Sequence, residues 1–224
     1  MRPLLLTAIA ILTAGSLHAQ LYEGGIGYGT GYAGTPQGIP SQYQGSSSSK
    51  NPSFIGMFHY NISDLWQVGG SIDGAKWVRT GNWNSIGGSI TPATYTIADP
   101  ALSFCARFNR IFPFYSEVNP EMIKSYLYIG ASVGMVFTSN DGQQNISSDG
   151  HVNYDLENGK GYTIGVQGGY VYYFRKHLGL YAEVAPRYAN ITTSDARDNH
   201  SVESFHLTYY SLTIGVRYRF KYYY

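Results

Sequence analysis

A segment near the C-terminus holds side chains that could serve nucleophilic catalysis: His200, Ser201, Glu203 and His206. A serine nucleophile must be hydrogen-bonded to a base that is itself held in a fixed orientation. His200 and Ser201 are adjacent, so in an extended strand their side chains would point to opposite faces. We therefore expect no enzymatic activity from this group.

Acidic side chains in two further segments are candidates for metal binding. They are Asp141, Asp149, Asp155 and Glu157 in one segment, and Asp195 and Asp198 with His200 in the other. Neither segment has the spacing of a calcium loop. The glycines from Gly24 to Gly31 lack the following helix and the Lys-Ser/Thr pair of a phosphate-binding loop. We expect solvated acidic residues, no metal ion and no cofactor.

The elements that must position such residues are strands, because apolar and polar residues alternate along most of the chain. From Thr208 to Phe220, one phase reads Thr, Tyr, Leu, Ile, Val, Tyr, Phe and the other reads Tyr, Ser, Thr, Gly, Arg, Arg. Similar alternation covers 22–32, 65–78, 98–108, 125–138, 160–174 and 179–190. Residues 53–60 are apolar in both phases, so their orientation is left open. The pattern predicts eight strands.

Charged residues also occur in the phase that is rich in Gly, Ser, Thr and Ala. They are Glu23, Asp73, Arg107, Glu183, Arg187, Arg217 and Arg219, and Cys105 shares that phase. Inside a narrow barrel these charges would have to be paired, because an isolated buried ion is strongly destabilising. They could form a gated pore, a binding site or a salt-bridged plug. We favour the plug, since eight strands leave no room for an open channel.

The composition excludes several classes of protein. Only 13% of the 224 residues are charged, while 22 are Tyr and 27 are Gly. A disordered chain would carry more charge and fewer aromatic residues, and a formal net charge of +1 argues against a nucleic-acid partner. One Cys excludes a disulfide scaffold. No apolar run is long enough for a transmembrane helix.

Residue size indicates which phase faces lipid. Gly and Ala suit the crowded interior of a small barrel, whereas Tyr and Phe suit the two membrane interfaces. We therefore predict that the apolar phase points outward to lipid. The alternative is a soluble periplasmic barrel whose apolar phase points inward.

The N-terminus predicts export. Arg2 precedes the apolar stretch 3–14, and 15–19 ends in Ala19, as a signal-peptide cleavage site requires. We predict a signal peptide over 1–19 and a barrel domain over 20–224. The apolar stretch is too short to span a bilayer, although a short N-terminal anchor is the alternative.

The connections between the predicted strands alternate between long and short. The long ones are 34–51, 79–93, 139–159 and 192–204, and tight turns lie at 61–64 and 175–178. Alternation of this kind is typical of membrane barrels, which have longer external loops and short periplasmic turns. Segment 109–123 should be short, and we expect strand extensions within it. Pro100 and Pro186 fall inside predicted strands, where we expect bulges, strand ends or strand bounds that are wrong by a few residues.

The last strand carries the most specific signal. Thr213, Gly215, Tyr218 and Phe220 follow the order polar, Gly, aromatic, aromatic of the terminal assembly signal of outer-membrane proteins. With the strand pattern, they make the chain resemble the small outer-membrane β-barrels of Gram-negative bacteria, the OmpA/OmpX-like eight-stranded group. That family usually stops at its terminal aromatic residue, whereas here 221–224 follow Phe220.

The resemblance implies an all-β, eight-stranded antiparallel up-and-down transmembrane β-barrel in the outer membrane, inserted by the barrel-assembly machinery. We expect a non-enzymatic structural or adhesion-like role, with outer-membrane lipid and lipopolysaccharide around the barrel and a surface ligand at the four long loops. The alternatives are a small pore or transport-accessory barrel, and a lipid A-modifying enzyme. The spacing of His200 and Ser201 does not match the His-any-Ser pattern of the deacylases of this size.

Overall fold

The structure, a computed structural model, describes residues 21–33, 51–83, 93–117, 123–139, 159–194 and 202–220. The strands are β1 (Leu21–Ala33), β2 (Asn51–Ser63), β3 (Trp66–Trp83), β4 (Ala93–Tyr115), β5 (Ile123–Thr138), β6 (Gly159–Tyr173), β7 (Leu178–Ser194) and β8 (Val202–Arg219). Each strand pairs antiparallel with the next, and β8 pairs with β1, so the sheet closes. The predicted eight-stranded barrel is confirmed. The predicted signal peptide lies outside the described residues.

The two faces of the barrel differ as the alternation predicts. Outward-facing residues such as Ile26, Val166 and Ile214 are 72%, 56% and 67% exposed, whereas inward-facing Arg217 and Val136 are fully buried. Exposed apolar area spread around a whole barrel is compatible with lipid and not with water. The exterior is therefore the membrane-facing surface.

No helix in the described part of the chain is long and apolar enough to cross a membrane.

The orientation of β2, left open by the sequence, follows from its neighbour β1. Ile55, Met57 and His59 face the interior, and Phe58 faces outward. In the register of the pair, Met57 lies opposite Gly25 and Ile55 opposite Gly27. A Cβ atom on Gly25 would lie 3.1 Å from Met57 Cγ, so the larger β2 side chain occupies space that the glycine leaves.

Several predicted boundaries were wrong because the hairpins extend further than the alternation. β3 and β4 pair up to Trp83 and Ala93, so residues 79–83 are strand rather than loop. β7 continues to Ser194 and β8 begins at Val202, which shortens the connection predicted at 192–204. Segment 109–123 does contain a strand extension, since β4 runs to Tyr115 and bulges beside Phe114. Backbone hydrogen bonds hold a hairpin together in water as well, so the strands continue beyond the residues whose apolar side chains face lipid.

The two prolines were expected at bulges or strand ends, and both lie within strands instead. Pro100 pairs with Lys76 and Pro186 with Tyr210 in unshifted registers. On the other side of β7, the pairing with β6 lapses between Gly165–Arg187 and Gly168–Val184 and then resumes in the same register. Because proline has no N–H, a local gap in the ladder accommodates it without a bulge.

Candidate functional site: the barrel interior

The charged residues predicted to face the interior do so. Glu23, Arg107, Glu183, Arg187, Arg217 and Arg219 are all buried, and Asp73 is partly buried. We call the end of the barrel with residues 64–65 and 174–177 the turn end, and the opposite end the loop end. The charges occupy the turn end and the middle, and four arginines face three carboxylates there.

Near the turn end, two arginines share one carboxylate. Glu23 Oε2 lies 3.3 Å from Arg217 Nη1, and its Oε1 lies 3.6 Å from Arg219 Nε. The Tyr126 hydroxyl donates a hydrogen bond to Glu23 from β5, the strand opposite β1. The Arg219 guanidinium also stacks on the Tyr173 ring, 3.7 Å from its centroid. This group joins four strands around one acidic side chain.

Arg217 is additionally surrounded by aromatic rings. Its guanidinium carbon lies 5.1 Å from the Tyr128 ring centroid and 5.3 Å from that of Tyr181. Tyr181 fits only because its neighbours lack side chains: a Cβ on Gly27 would lie 2.1 Å from its hydroxyl oxygen. The glycines of the inward phase thus make room for the tyrosines that stabilise the buried cation.

Two further ion pairs lie toward the middle of the barrel. Arg107 pairs with Glu183, which also accepts a hydrogen bond of 2.6 Å from the Tyr128 hydroxyl. Arg187 binds Asp73 with both terminal nitrogens at 2.9 Å, a bidentate geometry that is stronger than a single contact. Each pair crosses the interior rather than following one strand.

Cys105 faces the interior beside the second of these pairs, and it is buried as a small side chain. Arg187 Nη1 lies 3.4 Å from its sulfur. The hydroxyl of Ser71, which pairs with Cys105 in the β3–β4 ladder, donates to Asp73 at 2.8 Å.

Sequence reasoning did not identify a chain of amide side chains across the interior. Gln67 donates to Asn61 at 2.9 Å, Asn109 donates to Gln67 at 3.0 Å, and Gln167 donates to Asn109 at 2.8 Å. All four are buried. The available signal was the inward phase of Gln67 and Gln167, where a large polar residue needs a buried partner. His59 lies on the same side of the sheet, and its two ring nitrogens have no hydrogen-bond partner in the described part of the chain.

The interior near the loop end is different in character. It holds a cluster of small and apolar side chains: Ala101, Val136, Ala189, Ile191, Leu207 and Tyr209. A recess of about 750 Å³ at this end is lined by inward residues such as Ala75 and Ala101 and also by outward residues such as Phe54 and Phe137. Asp73 and Ser103 lie two residues further from the loop end, so the recess ends where the charged interior begins.

The residues of the predicted assembly signal split between the two faces. Tyr218 and Phe220 face outward with ring centroids 5.2 Å apart, whereas Thr213 and Gly215 face inward. A Cβ on Gly215 would lie 2.1 Å from the Ile26 carbonyl oxygen of β1, so this glycine permits the pairing that closes the barrel. Recognition by the assembly machinery stays a prediction, and 221–224 lie outside the described residues.

The other sequence candidates are mostly outside the described part. His200, Ser201 and the acidic residues of the two segments considered for metal binding lie there, and the side chain of Glu203 is not described. His206 is on the outer surface, stacked on Tyr188 with ring centroids 5.7 Å apart. Among the residues that the structure covers, no three His, Cys, Asp or Glu side chains are grouped closely enough to hold a metal ion.

No known family profile and no curated protein matches the sequence. Among solved structures, the chain is similar to the outer membrane protein OprG from Pseudomonas aeruginosa, with a TM-score of 0.47 and 14% identity over 91% of this chain and 96% of that one. It is similar to Neisserial surface protein A, with a TM-score of 0.49 and 15% identity over 89% and 97%. It is also similar to Ail, the attachment invasion locus protein of Yersinia pestis, with a TM-score of 0.43 and 15% identity over 90% and 99%.

The two faces of the barrel indicate its environment independently of these similarities. Eight antiparallel strands close without an edge, the exterior is apolar all round, and the interior is filled with polar side chains. In a bilayer, backbone groups must be satisfied within the protein, and a closed barrel achieves this with strands. The fold is therefore that of a small outer-membrane β-barrel.

Proposed function

We propose that this barrel is closed to solutes, has no enzymatic activity, and serves a structural or adhesion-like role at the cell surface. The observation that supports closure is a pair of contacts between opposite walls. Asp73 on β3 binds Arg187 on β7, and Tyr126 on β5 binds Glu23 on β1. In a ring of eight strands these are the strands that face each other across the interior, so both contacts lie across the path of any solute.

Because a plugged barrel does not conduct solutes, the role proposed for this one is interaction at the cell surface. The short described turns, 64–65 and 174–177, lie at one end, which is the periplasmic end in barrels of this type. The four connections at the other end, which the strand bounds place at 34–50, 84–92, 139–158 and 195–201, then emerge outside. Exposed loops on a rigid scaffold are common sites of binding. Outer-membrane lipid and lipopolysaccharide surround the barrel in this proposal, and the assembly machinery is its partner during biogenesis.

The proposal is tested by comparing cells that carry the gene with cells that lack it. We expect the expressing cells to adhere better to a surface coated with host matrix proteins. A variant whose four loops are replaced by short Gly/Ser linkers should lose adhesion while still showing the slower gel mobility on boiling that indicates a folded barrel. Equal adhesion by the loop variant and the natural protein would contradict a loop-mediated role.

A small pore is the second candidate, and one observation favours it. The nitrogens of the buried His59 ring have no hydrogen-bond partner among the described residues and could bind water along a path. Single-channel recordings in planar bilayers separate the two roles. We expect no conductance steps from the natural protein. Regular steps would contradict the closed barrel and support the pore.

Absence of enzymatic activity is tested separately. Mass spectrometry of lipid A from cells with and without the gene should show identical species. A gained or lost acyl chain that depends on the gene would assign a lipid-modifying activity instead.

A further inference from the structure

The outer surface near the loop end is not uniform around the barrel. A transmembrane strand needs about 9–11 residues to cross the apolar layer. Counted from Tyr172 toward the loop end, such a length of β6 ends at Tyr162. Counted from Leu180, the same length of β7 ends at Asn190. Counted from Leu127 on β5, it ends at Phe137. At this height, the outward residues of β6 and β7 are polar, whereas the outward residue of β5 is apolar.

The polar side is formed by neighbouring residues of β6, β7 and β8. We call it the loop-end polar patch, and it comprises Lys160, Tyr162, Tyr188, Asn190, His206 and Thr208. Tyr162 pairs with Asn190 and Asn190 pairs with His206, so one row of the patch is continuous across three strands. On β4 and β5, the corresponding outward residues are Leu102 and Phe137, which pair with each other. The patch therefore does not extend to the described outward residues of β4 and β5.

The patch is held in place by its own contacts. Asn190 Nδ2 donates to the Tyr162 hydroxyl at 3.2 Å. The His206 ring stacks on Tyr188 at an interplanar angle of 21°. His206 Nδ1 is buried without a hydrogen-bond partner among the described residues. These side chains present hydroxyl, amide and imidazole groups in a fixed arrangement at the edge of the apolar layer.

The charge of the patch is positive. Lys160, its one basic residue with a fixed positive charge, is exposed and in register with Thr192. None of the outward-facing strand residues whose side chains the structure describes is acidic. A cation among hydroxyl and amide donors is complementary to a phosphorylated sugar at the height of the lipid headgroups.

We propose that the loop-end polar patch binds the phosphorylated glucosamine headgroup of lipid A. Lys160 contacts a phosphate, and the row Tyr162, Asn190 and His206 contacts the hydroxyl and amide groups of the sugar. The inference rests on the proposed function, because it requires the loop end to face the outer leaflet. It goes further by assigning one sector of the barrel to one class of lipid.

The test uses the full-length mature protein in phosphatidylcholine nanodiscs. The discs contain bisphosphorylated lipid A, its dephosphorylated form, or phosphatidylglycerol, and native mass spectrometry counts the lipids that remain bound. The variant is K160A/H206A. The matched control is K124A, since Lys124 is also an exposed strand lysine but lies at the turn end, 5.9 Å from the Tyr172 ring centroid.

We expect the natural protein to retain bisphosphorylated lipid A in preference to the other two lipids. K160A/H206A should retain at least about fivefold less, because one lysine near a charged lipid surface contributes roughly that factor. K124A should match the natural protein. An equal loss in both variants, retention of phosphatidylglycerol to the same extent, or no loss at all would each overturn the proposal.

A separate measurement distinguishes this failure from failure of the proposed function. Boiling should shift the gel mobility of every variant taken from the discs, which shows that the barrel has inserted. A protein that does not insert contradicts the outer-membrane function itself. A protein that inserts but shows no preference for lipid A contradicts only the patch.

Discussion

The two halves of the barrel interior are closed in different ways. Toward the turn end and the middle, charged and aromatic side chains interlock around Glu23, Arg217 and the Arg107–Glu183 pair. Toward the loop end, small and apolar residues such as Val136 and Ile191 pack together. The first region depends on matched partners, because each buried charge needs its counterpart. The second depends on shape, so its side chains are individually more replaceable.

The largest effect is expected from removing the shared carboxylate. E23Q leaves Arg217 and Arg219 without their common acidic partner, so we expect the free energy of unfolding in lipid vesicles to fall by about 3–5 kcal/mol. Urea titration followed by gel mobility measures this. E117Q, which changes an exposed glutamate, is the control and should behave like the natural protein. A loss for E23Q no greater than that of the control would show that the charge cluster contributes little to stability.

Truncation in the apolar half should have a smaller but clear effect. Ile191 is fully buried, and I191A should destabilise by about 2–4 kcal/mol through the lost contacts and the cavity left behind. The comparison variant is I26A on the lipid-facing side, where lipid can fill the space. The same urea titration applies. If I191A cost more than E23Q, the contrast between the two halves would be reversed.

The Asp73–Arg187 pair lies between these regions and sharpens the comparison. Asp73 is less buried than Glu23, so D73N should destabilise by only about 2 kcal/mol, the cost of weakening a charge-assisted hydrogen bond. D64N, at an exposed aspartate of the β2–β3 turn, provides the baseline. An effect of D73N as large as that of E23Q would mean that burial does not set the cost.

The smallest change is expected at Cys105. C105A removes one weak contact to Arg187, which keeps its bidentate partner, so a loss of about 0.5 kcal/mol is expected. The thiol of the natural protein should also resist a water-soluble maleimide until the barrel is unfolded. Rapid labelling of the folded barrel would show that water reaches this level of the interior from outside.

Strand alternation was sufficient to place individual residues on the correct face. Glu23, Arg107, Arg217 and the others were assigned to the interior from phase alone, since side chains alternate across a strand. The orientation of β2 could not be assigned, because 53–60 is apolar in both phases. The structure decides it, since Met57 lies opposite Gly25 and fills the space that this glycine leaves.

Strand ends were predicted less well than faces. Thr80, Gly81 and Asn82 carry no apolar alternation, yet they continue the β3–β4 ladder. The same limit applies to Ser194 and Val202. Backbone hydrogen bonds sustain a hairpin in water whatever its side chains are, so a pattern of hydropathy cannot mark where it ends.

The sequence by itself determined that this chain forms strands, that its apolar phase faces lipid, and which charges point inward. Only the tertiary structure decided which charge meets which. Asp73 and Arg187 are 114 residues apart, and they meet because β3 and β7 face each other in a closed ring of eight. Phase is a local property of two successive residues, whereas partnership across the interior depends on the registers of all eight strand pairs together.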